Sequence, residues 1–408
     1  MEKIEEYLNE LKSIANKKLS LDMSRGKPSS EQLDLSMPML DVLSSDSSLY
    51  SEQGYDCRNY GVLDGLDECK ALMSELLKVD KNNVIVFGNS SLNIMYECIA
   101  NAMLFGINGS TPWSQLKTIK WLCPVPGYDR HFAITEHFKI EMINIPINSE
   151  GPDMNLVEEY VKDPDVKGIW CVPMYGNPTG ITFSDEIVKR FANLRPVSKD
   201  FRIYWDNAYC IHHLYKNKQD HLLNIYDECK SANNEDLVYI FASTSKISFP
   251  GSGIAALGAS PNNIKDIKQH LKYKTIGYDK VNQMRHVRFF NNLNGLKEQM
   301  IKHSEILGPK FDLVLDTFKK ELDGFATWSK PNGGYFISLY VKGCAKEVVE
   351  RCKSVGLTLT DAGAAYPYHY DKDNSHIRIA PSYLSMDELK LAIPILCLCV
   401  KVETLSRK

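Results

Sequence analysis

The chain has 408 residues, 44% hydrophobic and 24% charged, which fits a folded soluble protein too long for a single core. A formal net charge of −3 gives no electrostatic footprint for nucleic acid or an anionic membrane. Charges at Met1 to Glu6 replace the apolar run of a secretory leader, and the longest apolar run, Leu391 to Val400, is too short to span a bilayer.

Taken in order, residues 3–17 place Ile4, Leu8, Leu11 and Ile14 on one helical stripe. The segment from Leu21 to Ser30 sets Arg25 and Lys27 beside Gly26 and Pro28 and reads as irregular. A loop around Gly54 to Tyr60 precedes a helix from Leu66 to Val79. From residue 83, strand patterns at Val84–Phe87, Trp121–Cys123, Gly168–Met174, Phe201–Trp205 and Leu237–Ala242 alternate with helical patterns at 92–105, 127–137, 153–162 and 184–194. That rhythm predicts an α/β fold with a mostly parallel central sheet and helices on both faces. Ile254–Ala259 follows too soon for a crossover helix, so an antiparallel strand is expected there. Helices near 261–274, 280–293 and 305–321 come next. A smaller α+β C-terminal domain then reads as strand (334–341), helix (345–355), strands (357–359 and 376–380) and the apolar last helix (386–400). The expected division is 1–48 (N-terminal helix and loop packing with the small domain), 49–295 (large domain) and 296–408 (small domain). Eleven cysteines without a C-x-x-C pair read as reduced thiols of a cytoplasmic protein, and the histidines show no metal spacing.

Ligands of open parallel sheets sit outside the carboxyl ends of the strands, so the residues that follow each strand are the candidates. Asn89, Ser90 and Ser91 open a helix and suit either a phosphate or an ordinary cap. Tyr128 offers a ring on which a flat cofactor could stack, and Asn177 an amide in what is otherwise common turn punctuation. Asp206 ends an apolar strand, where a carboxylate needs a partner such as a protonated pyridine nitrogen. Ser243, Thr244 and Ser245 precede Lys246, whose setting is either a surface turn or that of a desolvated, nucleophilic amine beside a phosphate cradle. Together these groups suit a Schiff-base enzyme of pyridoxal 5′-phosphate. Gly251 to Ala256 fits the loose G-x-G-x-x-A pattern, but a β-leaning run follows it where a dinucleotide site requires a helix.

On these motifs the chain resembles, from about residue 20 onward, the class I/II aminotransferases of pyridoxal-phosphate fold type I, with a central sheet of the seven-stranded type. It is most similar to the type Ic aspartate aminotransferase subgroup, through Ser24–Ser29, Asn59–Gly61, Pro124–His131, Ser243–Gly251 and Asn282–Arg288. The resemblance implies that Lys246 carries the cofactor and moves the substrate proton, and that Asp206 pairs with the ring nitrogen. It gives Tyr209 and Asn177 to the ring oxygen, Tyr128 to ring stacking, and Asn89, Ser90, Ser91, Ser243 and Ser245 to the phosphate. Tyr60 is implied to reach the phosphate of the other subunit of a homodimer with shared active sites. Arg378 is implied to fork onto the substrate α-carboxylate, with Asn177, Gly26 and Arg25 also at the substrate. Lys27, Lys274 and Lys280 are alternatives to Arg25 for a second carboxylate. Ile254 stands where most members carry a phosphate-binding arginine. The implied reaction is ping-pong amino transfer from an amino acid, aspartate first, to a 2-oxo acid such as 2-oxoglutarate. A lyase or decarboxylase, or a non-acidic donor, would use the same residues. A cofactor-binding regulator would need a DNA-binding domain, for which the residues before Asp22 are too few.

Overall fold

The computed structural model describes residues 2–407. Helix α1 (Glu2–Ala15) buries Leu11 and is followed by a two-residue strand β1 (Leu21–Asp22) and the short α2 (Ser30–Asp34). After α3 (Asp67–Leu77) the alternation runs β2 (Val84–Val86), α4 (Ser91–Phe105), β3 (Lys120–Val125), α5 (Asp129–His137), β4 (Glu141–Pro146), α6 (Met154–Tyr160) and β5 (Val166–Cys171). It continues with α7 (Asp185–Ala192), β6 (Arg202–Asp206), α8 (Ile225–Ser231), β7 (Val238–Ser243) and β8 (Ala255–Ala259). Three helices follow: α9 (Pro261–Lys274), α10 (Lys280–Phe290) and the long α11 (Leu293–Glu321). The chain ends with β9 (Ala326–Trp328), β10 (Ile337–Val341), α12 (Ala345–Ser354), β11 (Leu357–Thr358), β12 (His376–Ile379) and α13 (Met386–Leu405).

Seven strands form one sheet in the order β2-β8-β7-β6-β5-β3-β4. Strand β8 runs antiparallel to β2 and β7, as its short connection requires, and the other neighbouring pairs are parallel. Side chains alternate between two apolar layers. Val84, Val86, Ile203, Trp205, Val238 and Ile240 face one; Ile85, Tyr204, Tyr239 and Phe241 face the other. On that second face Trp121 packs against Trp113, Trp170 and Tyr204. Gly168 makes room for it, since a Cβ there would sit 2.4 Å from the Trp121 ring.

A three-stranded antiparallel sheet, β12-β10-β9, forms separately. Strand β1 pairs in parallel with β11, and α1 packs on α13, so the N-terminal segment is tied to the C-terminal part of the chain. A capping box between Ser385 and Glu388 starts α13, which is the apolar helix read from the sequence. Among the described residues no helix is long and apolar enough to cross a membrane.

Several elements depart from the sequence reading. Strand β4 is an edge strand with only Met142 and Ile145 buried, too sparse an alternation to announce itself. The helix expected at 280–293 stops at Phe290 because Asn291 adopts φ 63°. Asn292 then caps α11, which begins well before residue 305. The segment after Leu21 is irregular only beyond its two-residue strand. The glycine pattern at Gly251 leads into β8, a strand.

Candidate active site

Strands β6 and β7 end side by side, with Asp206 opposite Phe241 and the Asn207 amide donating to the Phe241 carbonyl at 2.8 Å. Beyond β7 the chain folds back through Thr244, whose hydroxyl accepts from the Ile254 amide at 3.0 Å. This loop carries Lys246, with Nζ 5.0 Å from the centroid of the Tyr209 ring. Burial lowers the lysine pKa and the charge of Asp206 opposes that shift. Burial also pushes the Tyr209 phenol far up, which keeps it a proton donor.

Asp206 is 3% exposed. Its Oδ2 accepts from His131 Nε2 at 3.0 Å, while Oδ1 is buried with no hydrogen-bond partner among the described residues. A carboxylate oxygen left so is costly, and a cationic N–H is the group that would satisfy it. His131 is stacked on Trp170 with centroids 4.5 Å apart, and the Tyr128 ring meets it edge-on at 4.8 Å. Burial raises the Tyr128 pKa to about 12.

Next to the lysine, Ser243 Oγ donates to Ser245 Oγ (3.1 Å), which donates to the Asn89 carbonyl (2.8 Å). The Asn89 amide reaches across to the Pro250 carbonyl at 3.1 Å. Ser90 precedes α4 but its hydroxyl does not cap the helix, and Ser91 is the first helical residue. The hydroxyls and amides of two loops therefore converge beside a helix N-terminus, a setting suited to phosphate. Ile254 is 1% exposed and lies in the core, so the usual arginine position cannot serve here. A different cation lies nearby: Arg285 of α10 donates to Ser252 Oγ at 2.5 Å and also to Asn282, and its Nε is buried without a partner.

Arg378 comes from β12, in register opposite Ser338 of β10. Its guanidinium lies 5.1 Å from the Phe336 ring centroid and donates to Asn177 Oδ1 (3.3 Å), Thr360 Oγ1 (3.2 Å from Nη2) and Asp129 Oδ1 (2.8 Å). Burial holds His376 neutral, with a pKa of about 3. Its Nε2 bonds Ser338 Oγ at 2.8 Å, and Ser338 donates to the Pro178 carbonyl at 3.1 Å. This chain of bonds fixes the small sheet against the Asn177 turn. Gly26 also packs against Phe336: a Cβ would sit 2.3 Å from that ring, so only glycine lets the N-terminal segment pass.

Lys246, Asp206, Tyr209, Tyr128, Asn177 and Arg378 are thus one cluster, joined to the Asn89–Ser245 loop. Arg25 and Tyr60 are outside it. Arg25 is exposed and its side chain makes no hydrogen bond or ion pair among the described residues; Tyr60 is 84% exposed. Lys27 lies over the Tyr383 ring, Lys274 is paired with Glu97, and Lys280 donates to the Gly61 carbonyl. The sequence reading missed His131, Asp129, Thr360, Phe336 and Arg285 as members of the site. For His131 a signal existed: it lies one turn past Tyr128, the residue that caps α5, where the two rings can meet.

Residues 2–408 match the family model described as aspartate amino-transferase. An aspartate aminotransferase of Corynebacterium glutamicum is 43% identical over 403 residues, covering 98% of this chain and 92% of that protein. The crystal structure of an aspartate transaminase from the same species superposes with a TM-score of 0.95 at 41% identity, covering 99% of this chain and 96% of that one. The α-aminoadipate aminotransferase of Thermus thermophilus, solved with N-(5′-phosphopyridoxyl)-L-leucine, shares the fold at a TM-score of 0.76 and 17% identity, over 98% and 96% of the two chains. The chain is an aminotransferase and belongs to the aspartate aminotransferase family.

Proposed function

We propose that this chain binds pyridoxal 5′-phosphate and moves an amino group from aspartate to 2-oxoglutarate by a ping-pong mechanism. The observation that carries the reading is the orphaned Asp206 Oδ1, buried beside His131 on a carboxylate whose charge acts on the buried Lys246. When bound, the cofactor supplies an electron sink for the pair left behind as the substrate Cα loses its proton. Asp206, oriented by His131, keeps the ring nitrogen cationic. Tyr209 and Asn177 hold the ring oxygen, and Tyr128 covers the ring. Asn89, Ser90, Ser91, Ser243 and Ser245 hold the phosphate, with Arg285 supplying the charge that Ile254 does not. Lys246 Nζ, whose depressed pKa leaves more of the amine neutral and free to accept a proton, takes the Cα proton and returns it. Arg378 grips the α-carboxylate. In the proposed division at residues 48 and 295, Lys246 and Asp206 belong to the large domain and Arg378 to the small one, and the substrate bridges them. A cytoplasmic location agrees with the eleven free cysteines.

A dicarboxylic substrate needs a second cation. Lys274 and Lys280 are engaged within the chain, and Arg25 is exposed beside Gly26, so Arg25 is the proposed partner. A charge-assisted bond contributes about 1.5–3 kcal/mol. Arg25→Ala is therefore expected to raise KM for aspartate about ten- to a hundredfold and leave that for alanine nearly unchanged. Equal losses for every donor would remove Arg25 from specificity, and a wild-type preference for alanine or aromatic donors would remove aspartate.

A homodimer with shared sites is also proposed. Tyr60, Tyr273 and Ile276 are 84%, 84% and 61% exposed. The Tyr60 loop meets the end of α9 and the segment after it, which bear Tyr273 and Ile276, where Gly277 packs on the Gly61 carbonyl, forming an apolar face of the kind that a second copy covers. Tyr60→Ala and Lys246→Ala proteins, each inactive, should regain partial activity when mixed and allowed to exchange subunits. A fully active monomer in sedimentation would refute the shared site.

A further inference from the structure

Arg378 already holds a carboxylate. Its Nη1 donates to Asp129 Oδ1 at 2.8 Å, the shortest of its bonds, and to Asn177 at 3.3 Å. Among the described residues the other edge of the guanidinium bonds only the Thr360 hydroxyl, at 3.2 Å from Nη2 and 3.4 Å from Nε. The two partners differ in exposure: the Arg378 side chain is 8% exposed and that of Asp129 is 26%. The arginine is fixed in the wall, whereas the aspartate reaches it from the solvent side. Asp129 is also the first residue of α5, where the positive end of the helix dipole favours a carboxylate whether or not it touches the arginine. Leaving Arg378 therefore costs Asp129 little: water and the α5 terminus replace one charged partner.

We infer that Asp129 is an internal competitor for the carboxylate subsite on Arg378, and that a substrate carboxylate taking the Nη1–Nη2 fork must displace it from Nη1. This rests on the proposed role of Arg378. A two-pronged carboxylate needs two parallel N–H donors, and Nη1 and Nη2 form one such fork. With Asp129 in place one prong of that fork is occupied and its charge is offset by a carboxylate, so affinity is set by an exchange of carboxylates and not by simple capture. The exchange ignores the substrate side chain. It weakens acidic and aromatic substrates alike and favours release of the oxo acid, which must leave before the second substrate enters. Asp129 is thus a residue that tunes affinity through Arg378, one position from the Tyr128 ring and two from His131.

The test uses the holoenzyme and two non-reacting carboxylates, succinate and 3-phenylpropanoate, with binding followed by calorimetry and by the visible spectrum. Asp129→Asn removes the charge and keeps the shape; Asp129→Ser is the second variant, compatible with a helix start. Both should bind both probes about two- to fivefold more tightly than wild type, the size of a part-exposed ion pair. KM for aspartate and for alanine should fall by the same factor. A merely structural role for Asp129 predicts looser binding, and unchanged or weakened affinity in both variants would overturn the inference. Arg378→Lys is the control for the reading beneath it. Loss of both probes in that variant, with no gain in the Asp129 variants, defeats the competitor alone; wild-type affinity in Arg378→Lys defeats the subsite itself.

Discussion

Lys246→Ala is expected to lower amino transfer by at least about 10⁴-fold, because in the proposed function one amine carries both the covalent anchorage and the proton transfer. The loop around it should persist. Thr244 is held by His286 and Ser248, and by the Ile254 amide, and none of these bonds involves the lysine side chain. The phosphate-side contacts of Asn89, Ser243 and Ser245 are likewise independent of it. The variant should therefore fold, retain cofactor weakly through the phosphate and Asp206, and lose the visible absorption characteristic of the wild type. Near-normal turnover would end the assignment of Lys246. Loss of all cofactor affinity would show instead that the lysine, and not the phosphate loop, dominates retention.

How far this site could be read from the sequence follows from the distances involved along the chain. Groups that sit directly at a strand end were legible, because an apolar run announces its own end. Asp206 closes β6 and Ser243 closes β7, and each could be placed without knowing any neighbour. Arg378 came from the family resemblance, since nothing in His376–Ile379 shows which way its side chain turns. The partners were not legible. His131 meets Asp206 across 75 residues, Asp129 meets Arg378 across 249, and Thr360 bonds the Ser24 carbonyl across 336. A single sequence carries no signal for such pairs beyond the requirement that a buried charge have some partner. The fold divided the same way. Strands buried on both faces, such as β5 and β6, were visible through their apolar stretches, Ile169–Cys171 and Ile203–Trp205. The edge strand β4 and the short polar helix α8 were not, because half their side chains face water and their patterns merge with those of loops.

Asp206→Ala is the second expected large loss, and it tests the site at the point where sequence and structure say most together. The carboxylate is 3% exposed and has one oxygen on His131 and one with no hydrogen-bond partner among the described residues. If a cationic ring nitrogen is that partner, alanine leaves it unpaired in a desolvated cleft. Removing one member of such a buried pair costs about 3–5 kcal/mol, which at about 1.4 kcal/mol per decade is two to nearly four decades. The loss should fall on the proton-transfer step and on cofactor retention together, since both require the ring nitrogen to keep its proton. Asp206→Asn separates the charge from the hydrogen bond: the amide can still accept from His131, yet it cannot balance a cation, so its activity should lie close to that of alanine. His131→Asn should be milder, because the carboxylate would keep its charge and lose only its orientation, losing about one to two decades at 1.5–3 kcal/mol for a charged hydrogen bond. Asp206→Asn with near-wild-type turnover would mean that the orphaned oxygen serves the fold and not the chemistry. Equal, severe losses in the Asn and Ala variants, set against the smaller loss in His131→Asn, would place the negative charge of Asp206 at the centre of the reaction.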